Sequence, residues 1–113
     1  MNPLWIAAAL IAAWFVVTRL RGRISGQQAR ALISSGARLI DVRSPAEFAS
    51  GHLEAARNIP VGELGQRAGE LGGKDGPLVL YCASGMRSAA AASILRRHGF
   101  TQVNDLGSMS RWG

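Results

Sequence analysis

The sequence predicts an α/β domain with a mainly parallel central sheet flanked by helices, preceded by one transmembrane helix. Three observations lead there. Short apolar runs rich in β-forming residues alternate with stretches that carry helix start and stop signals, the pattern of strands joined by helical crossovers. A chain of 113 residues with 48% hydrophobic content suits one small domain plus a short extra segment. That segment is the uncharged apolar run Leu4 to Val17, followed closely by Arg19, Arg21 and Arg23.

Counted on to Leu20, the apolar run is a near-minimal membrane span, at the lower edge of the roughly 17–25 residues required. A cleaved secretory signal is the rival reading. Met1-Asn-Pro3 lacks the basic residue such a signal carries, and Thr18-Arg-Leu-Arg-Gly-Arg23 is a poor cleavage site. The arginines read as a positive-inside stop, which expects residues 1–23 to anchor a domain of residues 24–113. The domain then lies on the cytoplasmic side of a bacterial-type inner membrane. Trp5 suits a belt position, whereas Trp14 and Phe15 suit lipid-facing or packing roles. Ala8 with Ala12, or Ala9 with Ala13, would let two helices approach, a route to weak self-association. The linker Arg21-Gly-Arg-Ile24 is short enough to hold the domain against the headgroups, with its arginines touching anionic lipid.

Ser25-Gly-Gln-Gln28 matches a capping box and predicts a helix over 27–34, ended by Gly36, with Ala29, Leu32 and Ile33 facing the core. Arg38 to Val42 reads as a strand. Ser44-Pro-Ala-Glu47 starts the next helix: serine as N-cap, proline at the first position, glutamate three residues after the cap. Asn58-Ile-Pro60 closes a short extended segment. Val61 to Leu71 reads as a helix with Leu64 and Leu71 inward, weakened by Gly65 and Gly69. Gly72 to Gly76 is a loop. Leu78 to Tyr81 reads as a buried strand, Ser88 to His98 as a helix stopped by Gly99, and Thr101 to Leu106 as the last strand.

Between the strand at Leu78–Tyr81 and the helix that follows sits Cys82-Ala-Ser-Gly-Met-Arg87, with the only cysteine of the chain. A cysteine there meets the positive end of a helix and a nest of backbone N–H groups, which favour the thiolate and bind anions. This is a nucleophile position; the plainer reading is a small buried hydrophobe. Four residues separate Cys82 from Arg87, so a loop curling over an anion brings the guanidinium to the same centre. Gly85 permits a turn with positive φ and Ser88 can cap the helix. The alternative for Arg87 is a solvated arginine at a helix start.

Other polar residues stand near. Asp41 and Arg43 lie at the carboxyl end of a strand, where open α/β sheets build their sites. Asp41 ordering its loop, and Arg43 in an ion pair with a residue such as Glu47, is favoured over direct substrate contact. His52 is expected to make a loop-structuring hydrogen bond rather than act as a base, since a dipole-stabilised thiolate needs none. His98, at a helix carboxyl end beside two arginines, is expected to be exposed.

Cys82-Ala-Ser-Gly-Met-Arg-Ser88 resembles the active-site loop of a single-domain rhodanese, a sulfurtransferase. Leu39-Ile-Asp-Val-Arg43, Glu47-Phe48, Gly51-His52-Leu53, Ala56-Arg-Asn-Ile-Pro60 and Leu106-Gly107 follow that family's order, and the similarity spans about Ile24 to Trp112. The resemblance implies a rhodanese-like fold. It implies that Cys82 takes sulfane sulfur from a donor such as thiosulfate, holds it as a persulfide and passes it to a thiol or other acceptor. Ala83, Ser84, Gly85, Met86, Arg87 and Ser88 would bind the anion, supported by Asp41, Arg43 and His52. Two departures stand out: Gly107 is followed by Ser108 where the family usually has paired glycines, and the chain ends at Trp112-Gly113, where relatives generally continue.

Rival functions are a non-catalytic docking domain at the membrane and, less favoured, a cysteine-dependent phosphatase or arsenate reductase. The loops of those enzymes usually put five residues between cysteine and arginine, for a wider cradle. Net charge is +6, but removing Arg19, Arg21 and Arg23 leaves ten basic against seven acidic residues, too diffuse and too poor in interleaved aromatics for nucleic-acid binding. A lone cysteine excludes an intrachain disulfide and fits a reducing compartment. One cysteine and two distant histidines argue against a metal site, and no dinucleotide or phosphate-loop fingerprint implies a cofactor.

Overall fold

The computed structural model describes residues 2–21 and 23–113, with side chains for all of these except 14–21. Helix α1 (Pro3–Arg21) leads into α2 (Gly26–Ser34), β1 (Arg38–Asp41), α3 (Pro45–Ala49) and β2 (Arg57–Asn58). After a short helical segment with α4 (Leu64–Arg67) at its centre come β3 (Leu78–Cys82), α5 (Met86–Arg97), β4 (Val103–Ser108) and a closing 3-10 turn, Met109–Trp112. The four strands pair in the order β2-β1-β3-β4, all parallel. The mainly parallel sheet read from the alternation of elements is therefore present.

Side chains alternate across β3 as the pleat requires. Leu78, Leu80 and Cys82 face a core formed with Ile40, Leu64 and Leu95, while Val79 and Tyr81 face a second core with Ala29, Leu39 and Leu106. All five residues of β3 are buried, as befits one of the two inner strands, β1 and β3. The capping boxes at Ser25/Gln28 and Ser44/Glu47 are both formed. Trp112 packs on the second core beside Ile24 and Leu32.

Two readings need correction. The expected single helix over 61–71 is broken into 3-10 Val61–Glu63, α4 and 3-10 Ala68–Leu71. Gly62, Gly65 and Gly69 remove the side chains that would favour one continuous helix, yet Leu64 and Leu71 are buried as expected. The expected transmembrane helix is not found either: among the described residues, no helix is long and apolar enough to cross a membrane. The expectations for the side chains of Trp14, Phe15, Arg19 and Arg21, and for Gly22, lie outside the described residues.

Candidate active site

Cys82 ends β3 and α5 begins four residues later, so the intervening loop wraps the sulfur above the carboxyl end of the sheet. The loop is held on both sides. Gly85 adopts φ 101° as the residue before α5, a conformation that suits glycine. On the other side the β3–β4 register slips at Leu80/Tyr81, which sets Gly107 opposite Tyr81 and Ser108 opposite Cys82. Gly107 also has positive φ, at 86°, and its amide donates to Asp105 Oδ1 at 2.8 Å. Ser108, standing where a second glycine was expected, donates from Oγ to the Ala83 carbonyl at 2.7 Å. The departure from the paired-glycine pattern thus adds a strut to the loop.

The sulfur accepts from two backbone amides, Gly85 N at 2.9 Å and Ser88 N at 3.4 Å. Burial pushes the Cys82 thiol up. The amide and hydroxyl of Ser88, with the amides of Gly85 and Ser84, outweigh that and bring its pKa below the ordinary thiol value. The Ser88 hydroxyl has one proton and donates to the Gly85 carbonyl at 3.1 Å, so the amides are the constant donors to sulfur. The helix starts at Met86, not Ser88, and Ser88 is not its N-cap: it lies inside the first turn, fully buried, with its amide turned to the thiol. Ala83, Ser84 and Met86 are exposed around the loop.

Arg87, expected to bring its guanidinium to the centre the loop curls over, is instead paired with Glu47 of α3, with Nη1 to Oε1 at 2.6 Å and Nη2 to Oε2 at 2.9 Å. Hydrogen bonds from Arg87 and from the Ser44 amide hold the Glu47 carboxyl down at about 2. Glu47 therefore does not pair with Arg43, correcting that expectation. Arg43 turns back on Asp41 instead: its Nη2 meets Oδ2 at 2.7 Å, its Nε both oxygens at 3.0 Å, and its amide Oδ1 at 2.9 Å. Asp41 is fully buried and Arg43 nearly so. Arg43 also donates to the Gly51 carbonyl, and Asn58 Nδ2 bridges the carbonyls of Asp41 and Arg43 at 3.0 Å. This network orders the turn that launches α3, and α3 presents Glu47 to Arg87. His52 bonds the Phe48 carbonyl through Nδ1 at 2.8 Å and stacks on the Phe48 ring, the loop-structuring geometry expected of it. Among the described residues no cluster of metal-ligating side chains is present.

A cysteine at the floor of an amide-lined loop, opening a helix, is the arrangement the family resemblance implies. The rhodanese-like domain family matches residues 25–113. This chain belongs to it.

The chain is 40% identical over 105 residues to the uncharacterized protein YqhL of Bacillus subtilis, a match that covers 92% of this chain and 82% of that protein. It is 37% identical over 93 residues to the thiosulfate sulfurtransferase GlpE of Pseudomonas aeruginosa, covering 80% of this chain and 82% of the relative. Among solved structures, the human single-domain sulfurtransferase TSTD1 superposes with TM-score 0.73 at 32% identity, over 80% of this chain and 94% of its own. An Escherichia coli rhodanese with anions superposes with TM-score 0.64 at 32% identity, over 67% and 91%.

One residue near the rhodanese loop was not singled out for the site from the sequence. Arg23, expected at the lipid headgroups, lies against Gly85 and Gly107, because residues 23–24 pair with β4. No local sequence signal marks it, since the pairing joins positions more than eighty residues apart.

Proposed function

We propose that the protein is a sulfurtransferase that carries sulfane sulfur as a persulfide on Cys82. The observation that carries this reading is the pair of amide hydrogen bonds to Cys82 Sγ from Gly85 and Ser88, in a loop that puts only four residues between Cys82 and Arg87. These donors favour the thiolate, which is the nucleophile. The thiolate attacks the outer sulfur of a donor such as thiosulfate. A bond forms between Sγ and that sulfur, the donor's S–S bond breaks, and its electron pair leaves with sulfite. The negative charge then resides on the terminal sulfur of Cys82–S–S⁻, where loop amides and the Arg87 guanidinium stabilise it. An acceptor thiolate takes the terminal sulfur and returns Cys82 to the thiolate.

In the same proposal the domain lies on the cytoplasmic side of a bacterial-type inner membrane, with its amino-terminal helix in contact with lipid. The support is the uncharged run Leu4–Val17, the three arginines after it, and the exposure of Leu4 and Trp5, each 76%, in α1. The helix also offers a route to weak self-association through its alanines. Partners are a small sulfur-containing donor and a thiol acceptor.

Intact-protein mass spectrometry after incubation with thiosulfate tests the chemistry. The expected result is a gain of one sulfur that a thiol reductant removes and that Cys82→Ser abolishes. No gain from any sulfane donor, together with hydrolysis of aryl phosphates, would overturn the reading. Cell fractionation tests the location: recovery of the chain in the soluble fraction alone would refute it.

A further inference from the structure

Arg23 stands ahead of the residues that match the family, yet the tertiary structure brings it to the rim of the catalytic loop. Its backbone is fixed there. Residue 23 forms a parallel bridge to Asp105, and the Ile24 amide donates to the Asp105 carbonyl at 2.9 Å. Arg111 clamps the same segment, with Nη2 donating to the Ile24 carbonyl at 3.1 Å and Nε to the Leu106 carbonyl at 2.8 Å.

From this anchor the Arg23 side chain extends over two glycines. A β-carbon at Gly85 would come within 3.0 Å of its Nη2, and one at Gly107 within 3.7 Å of its Nε. The Gly85 amide itself donates to Cys82 Sγ at 2.9 Å. Following those bonds, the guanidinium lies no more than about 9 Å from the sulfur. Arg111 spends its guanidinium on the backbone carbonyls of Ile24 and Leu106, and two other arginines near the loop differ from Arg23 in their company. Arg87 is paired with Glu47 and Arg43 with Asp41, whereas among the described residues no carboxylate pairs with Arg23. The carboxylate of neighbouring Asp105 accepts from the Gly107 amide. The rim therefore carries a cation with no carboxylate in ion-pair contact among the described residues.

We propose that Arg23 is a specificity-determining residue of the sulfur-donor site, selecting donors whose leaving group is a multiply charged oxyanion. The proposal rests on the sulfur-transfer reading of Cys82 and deepens it. As Sγ takes the outer sulfur of thiosulfate, the departing sulfite carries two negative charges. A thiosulfonate undergoes the same displacement but releases a sulfinate with one. A cation at the rim favours the first over the second.

The test measures kcat/KM with thiosulfate and with methanethiosulfonate for the full-length chain and for Arg23→Gln and Arg23→Lys, with cyanide as common acceptor and Cys82 persulfide followed by mass. A unit charge at this distance changes binding by roughly two- to twentyfold, depending on screening by water. Arg23→Gln should therefore lower the preference for thiosulfate over methanethiosulfonate by about fourfold. Arg23→Lys should retain most of the preference, and raised salt should shrink the difference between wild type and Arg23→Gln. Equal losses with both donors, or no loss with either, would overturn the assignment while leaving sulfur transfer intact. Absence of a persulfide on the wild-type chain with both donors would instead overturn the reading on which it rests.

Discussion

The Asp41–Arg43 pair separates a residue that builds the site from one that touches substrate. Asp41 is fully buried and the Arg43 side chain is 7% exposed, with three guanidinium contacts and one amide contact between them. Asp41's hydrogen bond also raises the Arg43 pKa above its ordinary value. Removing one partner of such a pair strands the other charge out of water, a loss of about 3–5 kcal/mol. A domain of this size has about 4–13 kcal/mol in total, so Asp41→Ala or Arg43→Ala alone should lower Tm by about 12 °C or more. Removing both leaves no stranded charge. The double variant should cost little more than either single one, a coupling of about 2–3 kcal/mol. Thermal unfolding of the four proteins, followed by circular dichroism, measures the cycle. Single losses below about 1 kcal/mol, or strictly additive ones, would refute the argument. If both single variants folded like the wild type while the KM for thiosulfate rose, the pair would be a substrate contact after all.

Three further outcomes are expected. Alkylation of Cys82 should rise with pH through a midpoint below the ordinary thiol value of about 8.5, because the lowered pKa puts the thiolate in the majority earlier. The Arg87–Glu47 pair does not blur that profile: with the Glu47 pKa depressed to about 2, its contribution is present above the ordinary carboxylate range and is lost only as pH falls through about 2. A midpoint at or above 8.5 would refute the amide-stabilised thiolate. Cys82→Ser should fold, judged by an unchanged unfolding midpoint, and lose sulfur transfer completely, because a hydroxyl forms no persulfide. Arg87→Ala should slow transfer by roughly 10²-fold, the effect of losing one charged donor at the reacting anion. Stopped-flow persulfide formation at the wild-type rate would return Arg87 to a purely structural partner of Glu47.

Much of the fold was legible because its signals are local. The capping boxes at Ser25 and Ser44, the apolar run of β3 and the stop at Gly99 each depend on residues within one or two turns, where hydrogen-bonding geometry is set by neighbours in the chain. The catalytic loop was legible for the same reason: Cys82, Gly85 and Arg87 stand at fixed short spacing between a strand and a helix. Where local propensities compete, the sequence was less decisive, as in the glycine-punctuated segment 61–71, which folds as three short turns around Leu64 and Leu71.

What only the tertiary structure decided is which charges meet. From the sequence Arg43 was expected to pair with a residue such as Glu47, and burial decided in favour of Asp41, since a fully desolvated carboxylate must find a cation within hydrogen-bond reach. That left Glu47 to Arg87, forty residues away in the chain and adjacent only because α3 and α5 rise from neighbouring strands. The same holds for Ser108 on Ala83 and for Arg23 on Gly85. Each is a side-chain contact made possible by parallel strand pairing, whose register depends on residues far apart in sequence and leaves no local trace.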